Sequence, residues 1–181
     1  MSLSENSAVS SAVPFLSLSP SESEIYQAVG DWISAVLGDG FNVIQGQQNQ
    51  SPPPLNCFVT MVISNKERLA TNGRHYTPDQ KMVISDSSLF TIQVACVGKG
   101  SGEAISTLKT LWRDLSCCQF FIENLPSCAP VSSDNPVQEV LTTAENQYEN
   151  RWSVGLRLNV LTEITLNQDS FSEIHLTTLS T

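Results

Sequence analysis

Between Gln147 and Leu166 the chain reads QYENRWSVGLRLNVLTEITL, and Trp152, Val154, Leu156, Leu158, Val160, Ile164 and Leu166 all fall on one parity. Ser153, Arg157, Asn159, Glu163 and Thr165 alternate with them. Side chains of an extended chain point to opposite faces with a period of two, so this pattern predicts one long, half-buried strand. A charged, aromatic segment (Tyr148, Glu149, Arg151, Trp152) leads into it, and a polar Gln168-Asp169-Ser170-Phe171 follows it.

Two more strands are predicted upstream by the same alternation. One runs from about Leu55 to Ile63, with Cys57, Val59, Met61 and Ile63 on one face. The other runs from Met82 to Val97 and alternates most clearly through Phe90, Ile92, Val94 and Cys96. Phe41 to Ile44 reads as a short strand, and residues 171–179 as a weak terminal one. Two segments have helical spacing instead. In the first, Ser21 or Ser23 can cap a helix whose early Glu22 and Glu24 suit its positive end. Ile25, Val29, Trp32, Val36 and Leu37 form its apolar stripe, and Gly38 and Gly40 end it. The second spans about 102–116, with Ile105, Leu108, Leu111, Trp112 and Leu115 on its stripe. Residues 45–56, QGQQNQSPPPLN, are irregular, because three successive prolines lack amide donors. Residues 117–148 read as mixed, with a short apolar run at Phe120, Phe121 and Ile122. The expected architecture is α+β: a mostly antiparallel sheet with two amphipathic helices packed on one face. Trp32, Trp112, Trp152, Leu108, Leu156 and Leu158 are the expected core. The Ser-rich residues 1–20 are expected to form a flexible N-terminal arm, and residues 21–181 a single domain.

A net charge of −9 argues against a general nucleic-acid binder, which needs a basic face to release counterions. It is compatible with a lumen past which DNA slides without sticking. No apolar run approaches the ~20 residues that a membrane span needs. The N-terminus also lacks the basic start and apolar core of a secretory signal. Assembly in a cytoplasm, with the five cysteines reduced, is therefore expected. Their number is odd, Cys117 and Cys118 are adjacent, and no C-x-x-C pair is present, so no zinc site is expected.

Other candidate chemistry is thin. The Gly98-Lys99-Gly100-Ser101-Gly102 loop lies between a strand and a helix, where phosphate loops occur, but its spacing matches neither nucleotide fingerprint. The simpler reading is that Ser101 caps the helix and the glycines make the turn. His75 and His175 are the only histidines, and neither belongs to a hydrolase or metalloprotease motif. Asp134, Glu139, Glu145 and Glu149 are carboxylates in an irregular, solvated segment. No catalysis, cofactor or metal is expected.

Charge is distributed unevenly. Residues 64–81, SNKERLATNGRHYTPDQK, hold four of the nine basic residues (Lys66, Arg68, Arg74 and Lys81) against Glu67 and Asp79. The segment is about +2 and the remainder about −11. Asn72-Gly73 marks a turn at its centre. It is either a solvated loop or a hairpin that contacts a partner, with Arg68 and Arg74 as anchors. Glu149 and Arg151 share a strand face and can pair with each other or with a neighbour. These six residues are the candidate interface.

Three stretches, in this order and spacing, resemble a known family. FNVIQGQQNQSPPPLNCFVTMVI over 41–63 is similar to its early signature, and the Phe90–Gly98 strand running into a helix to its middle. Gln147–Trp152, the long strand and Gln168–Phe171 are similar to its end. The family is the neck or tail-terminator proteins of long-tailed bacteriophages, and the resemblance covers about residues 22–175. It implies a virion structural protein without enzyme activity or cofactor. It also implies homomeric rings, usually hexamers, that cap the tail tube and join it to the neck. Partners would be the protein itself, the tail tube or sheath, and a neck or head-completion protein, with DNA passing through the lumen. A head-completion adaptor and, from another class, a small hydrolase are the alternatives.

Overall fold

Ser21 and Glu24 satisfy each other's backbone at the start of the first helix. Ser21 Oγ accepts from Glu24 N–H at 3.3 Å, and the Glu24 carboxylate accepts from Ser21 N–H at 2.7 Å. The computed structural model describes residue 16 and residues 18–46, 57–79, 81–142 and 148–167. From this cap α1 runs over Glu22–Leu37 and stops at Gly38, whose φ of 63° suits a residue without Cβ. Then come β1 (Asn42–Gln45), β2 (Phe58–Arg68), β3 (Gly73–Tyr76), β4 (Lys81–Val97), α2 (Ser101–Leu111) and α3 (Leu115–Asn124). The chain continues through β5 (Cys128–Ser133) and β6 (Val137–Thr142) to β7 (Tyr148–Asn167).

The long strand is present, and it pairs with β4 in unbroken register from Lys81↔Asn167 to Val97↔Arg151. The sheet order is β1-β2-β4-β7-β5. β3 lies on the same side of β4 as β2, and β6 on the same side of β7 as β5, so each outer neighbour is a strand broken in two. Beyond the start of β5, Ser19 continues that edge through two backbone hydrogen bonds with Glu163, at 3.0 and 2.7 Å.

Two expectations about the fold need correction. The sheet is antiparallel in five of its pairings, as expected, but it is mixed, because β1 runs parallel to β2, from Asn42↔Phe58 to Gln45↔Met61. Parallel neighbours need a crossover of about a dozen residues, and residues 46–57 supply that length. Among the described residues there are also three α-helices, not two. The second stops at Leu111, and Asp114 Oδ1 accepts from Ser116 N–H at 3.0 Å to start a third. The Phe120-Phe121-Ile122 run belongs to α3, and Leu115, expected on the second helix's stripe, is 69% exposed. The irregular 47–56 stretch, the arm up to residue 15 and the weak strand at 171–179 lie outside the described residues.

All three helices pack on one face of the sheet. Ile25, Val29, Trp32 and Ile33 of α1, Ile105 and Leu108 of α2, Trp112, and Cys117 and Phe121 of α3 meet one sheet face there. That face presents Val59 and Met61, then Phe90, Ile92, Val94 and Cys96, then Val154, Leu156, Leu158 and Val160. Trp112 is the hub: its ring lies edge-on to Trp32 at 5.1 Å and to Phe121 at 5.7 Å. Its indole N–H donates to the Arg157 carbonyl at 3.1 Å. Trp152 is half-buried under α2, where a Cβ on Gly102 would come within 3.3 Å of its indole nitrogen. The other expected core residues are all buried. The other face mixes polar Thr60, Thr91, Gln93, Arg157 and Asn159 with Val83, Ala95 and Val97, and on it Val83, Ala95, Val97 and Ser153 are buried.

Candidate assembly surface

The ends of β4 and β7 outrun the helices. Phe90 to Cys96 and Val154 to Val160 are buried on the helix side, whereas Met82, Ile84, Ile164 and Leu166, on the same face, are only half-buried. β3 widens this overhang into a ribbon, with Arg74 opposite Ile84 and Tyr76 opposite Met82. The chain reverses between β3 and β4 at residues 77–81, where Thr77 N–H donates to the Lys81 carbonyl at 2.9 Å. Asn72-Gly73, expected to be the turn, instead falls at the break between β2 and β3, and both strands follow the same edge of β4. Residues 64–81 are therefore largely sheet.

The six expected interface residues divide into two groups. Lys66 pairs with the Glu22 carboxylate, and its ammonium lies 5.0 Å from the centre of the Phe90 ring. Arg68 Nε is 2.8 Å from Asp86 Oδ1, and its guanidinium also reaches Asn72 Oδ1. The Ser88 hydroxyl first, and Arg68 second, hold the Asp86 carboxyl below its ordinary range. Arg74 and Lys81 are exposed and have no ion-pair partner among the described residues. Arg151 sits at the other end of the β4–β7 pair, roughly 50 Å from Lys81 at ~3.3 Å per residue. Its Nε lies 3.0 Å from Glu139 Oε2 without a hydrogen bond aimed at it, and Ser153 Oγ donates to the other Glu139 oxygen at 2.7 Å. Glu149 lies in β7 opposite Leu141, and its side chain is outside the described residues.

Three of the carboxylates between residues 134 and 149 are engaged or lie outside the described residues. Asp134 pairs with Arg157 at 3.2 Å, Glu139 is shared between Arg151 and Ser153, and Glu145 lies outside the described residues. His75 is exposed on β3, and His175 is outside the described residues. Among the described residues no group of three His, Cys, Asp or Glu side chains is placed to hold a metal. The five cysteines are free. In the loop before α2 the glycines do make the turn: Gly98 has φ 105° and Gly100, the N-cap, φ 81°. Ser101 does not cap. It is buried in the first turn, and its hydroxyl donates to the Asn150 carbonyl at 3.4 Å. Glu103 lines the shallow depression beside this turn and disfavours an anion there.

Sequence reasoning missed the outer face of α3, where Leu115 and Ile122, two turns apart on one side of the helix, are 69% and 67% exposed. The signal was there: Asp114 before Leu115 is an N-cap, and Cys117 and Phe121 have helical spacing. Tyr76, 67% exposed on β3, was missed too, because a lone aromatic in a polar segment leaves no pattern.

The candidate surface thus consists of ion pairs spread along a sheet, exposed apolar side chains and an overhanging ribbon. The family model of the phage neck terminator protein matches residues 23–181, and the chain belongs to that family. It is thus a structural protein of the virion neck. No curated protein matches the chain. No described helix is long and apolar enough to cross a membrane.

Proposed function

We propose that the chain forms a homo-oligomeric ring, a hexamer, that terminates the tail tube and joins the tail to the head connector. The observation that carries this reading is the ribbon of β3, β4 and β7. It extends past the subunit's own core, bears a half-buried apolar face, and holds Arg74 and Lys81 without acidic partners among the described residues. An overhang of this kind suits a neighbour's surface better than water. Partners are other copies of the chain, the tail tube or sheath, and a neck or head-completion protein. Residues 1–20 serve as an arm on a domain of residues 21–181, and assembly takes place in the host cytoplasm. Lys66, Arg68, Arg74, Lys81, Glu149 and Arg151 are proposed at the interfaces, with Arg74 and Lys81 making the new contacts.

The acidic balance favours a lumen that repels phosphates, since tight binding would stall passage of DNA. Cryo-electron microscopy of virions, with native mass spectrometry of the purified chain, tests the reading. Six copies in a ring at the tube end are expected, and a dispersed location in the particle would sink it.

A further inference from the structure

The three most exposed large hydrophobic side chains among the described residues fall in two places. Leu115 and Ile122 share the outer stripe of α3, at 69% and 67%, and Tyr76 stands on β3 at 67%. Sheet order separates these places. α3 packs over β5, on one side of the β4–β7 pair, and β3 pairs with β4 on the other side. Charge separates them too. Arg74 shares a strand face with Tyr76, and both Arg74 and nearby Lys81 are unpaired among the described residues. Beside Ile122 is Glu123, and beside Leu115 is Asp114, with Arg113 next to it; neither carboxylate has an ion-pair partner among the described residues.

We infer that in the assembly Tyr76 of one copy seats on the Leu115–Ile122 stripe of α3 in the next copy, with Arg74 beside Glu123. This rests on the ring reading above. The two patches are different surfaces at opposite edges of the same sheet, an arrangement suited to a head-to-tail contact. A head-to-tail contact repeats around an axis and closes into a ring when its rotation allows. Aromatic and arginine side chains are those most enriched at the centres of protein interfaces, and an aliphatic stripe gives the tyrosine ring a flat seat. The inference explains why α3 leaves two large aliphatic side chains in water in the isolated subunit. It also assigns Arg74, rather than the already paired Arg68, as the ribbon's electrostatic anchor.

The test uses the full-length chain, in phage carrying R74E, E123R, the double change R74E/E123R, and Y76S. Thermal melts of each purified variant report folding separately from assembly. Each charge reversal is expected to weaken the contact roughly threefold. Repeated around a closed ring, this should lower the yield of tail-joined particles more than tenfold. The double change should recover most of the loss, because the pair is restored with its signs exchanged. Y76S should weaken each contact about thirtyfold if the ring is a central anchor. Single reversals that leave yield at the wild-type level, or a double change no better than the worse single one, would overturn this contact. In either case rings still visible at virion necks would leave the ring reading standing. Necks without rings would overturn the ring reading itself.

Discussion

At the scale of single residues, packing and hydrogen bonding converge on Trp112. It is fully buried, stacks edge-on with Trp32 and Phe121, and satisfies the Arg157 carbonyl of β7. Trp112→Ala should cost about 3–5 kcal/mol in denaturant unfolding through the cavity it leaves. Leu156→Ala and Leu158→Ala, both at fully buried positions, should each cost about 2–5 kcal/mol. The cysteines should separate sharply in reactivity. Burial pushes the Cys96 and Cys117 thiols up to about 12 and Cys128 to about 11, so none forms thiolate readily near neutral pH. A thiol reagent counted by mass spectrometry should label the half-exposed Cys57 and Cys118 in the native protein, and all five only after unfolding. Acid should weaken the fold in a defined direction. Hydrogen bonds from Ser88, Ser116 and Ser21 hold Asp86, Asp114 and Glu24 below their ordinary values of 3.8, 3.8 and 4.5. A carboxyl with a depressed folded-state pKa contributes stability above its ordinary pKa and loses it as pH falls through the folded value. Melting temperature should therefore fall as pH is lowered from about 5 to about 3, and Asp86→Asn should flatten part of that slope.

Elements differ in how plainly the sequence announces them. β7 and β4 were legible because apolar residues recur on one parity over many residues, even though both faces are buried around 94–97 and 153–156. α1 was legible because its cap, its stripe and its terminal glycine agree. α3 was not, because Leu115 extends the spacing of the α2 stripe, and Phe120-Phe121-Ile122 is contiguous rather than periodic. The β1–β2 direction was not legible either, since parallel and antiparallel pairing bury the same residues of a four-residue strand. The candidate interface was half legible. Local charge marked residues 64–81, but only the fold reveals that Lys66 and Arg68 are already engaged. Two element-level changes should report on these local devices. Ser21→Ala removes one half of the reciprocal cap and should cost about 1 kcal/mol. Gly98→Ala forces a side chain onto a φ of 105° and places its Cβ 2.7 Å from Cys57 Sγ. It should cost about 1–3 kcal/mol from the backbone alone, measured by chemical denaturation.

For the molecule as a whole, the length of the β4–β7 pair matters more than any one contact in it. The two strands stay in register from Lys81↔Asn167 to Val97↔Arg151, yet helices bury only part of that span. Such a pair resembles a beam clamped at one end. Amides in the clamped portion, around Ile92 and Leu156, should exchange with deuterium only when the whole chain unfolds. Amides around Ile84 and Ile164 should exchange sooner, through fraying that leaves the core intact. Uniform protection along the pair in the free subunit would contradict this. The gradient should disappear in the assembled neck if a neighbour clamps the free end, so a subunit would stiffen at its tip only on joining the particle. The entropy lost in that stiffening would be paid at each contact, which favours many weak contacts made together over one made alone.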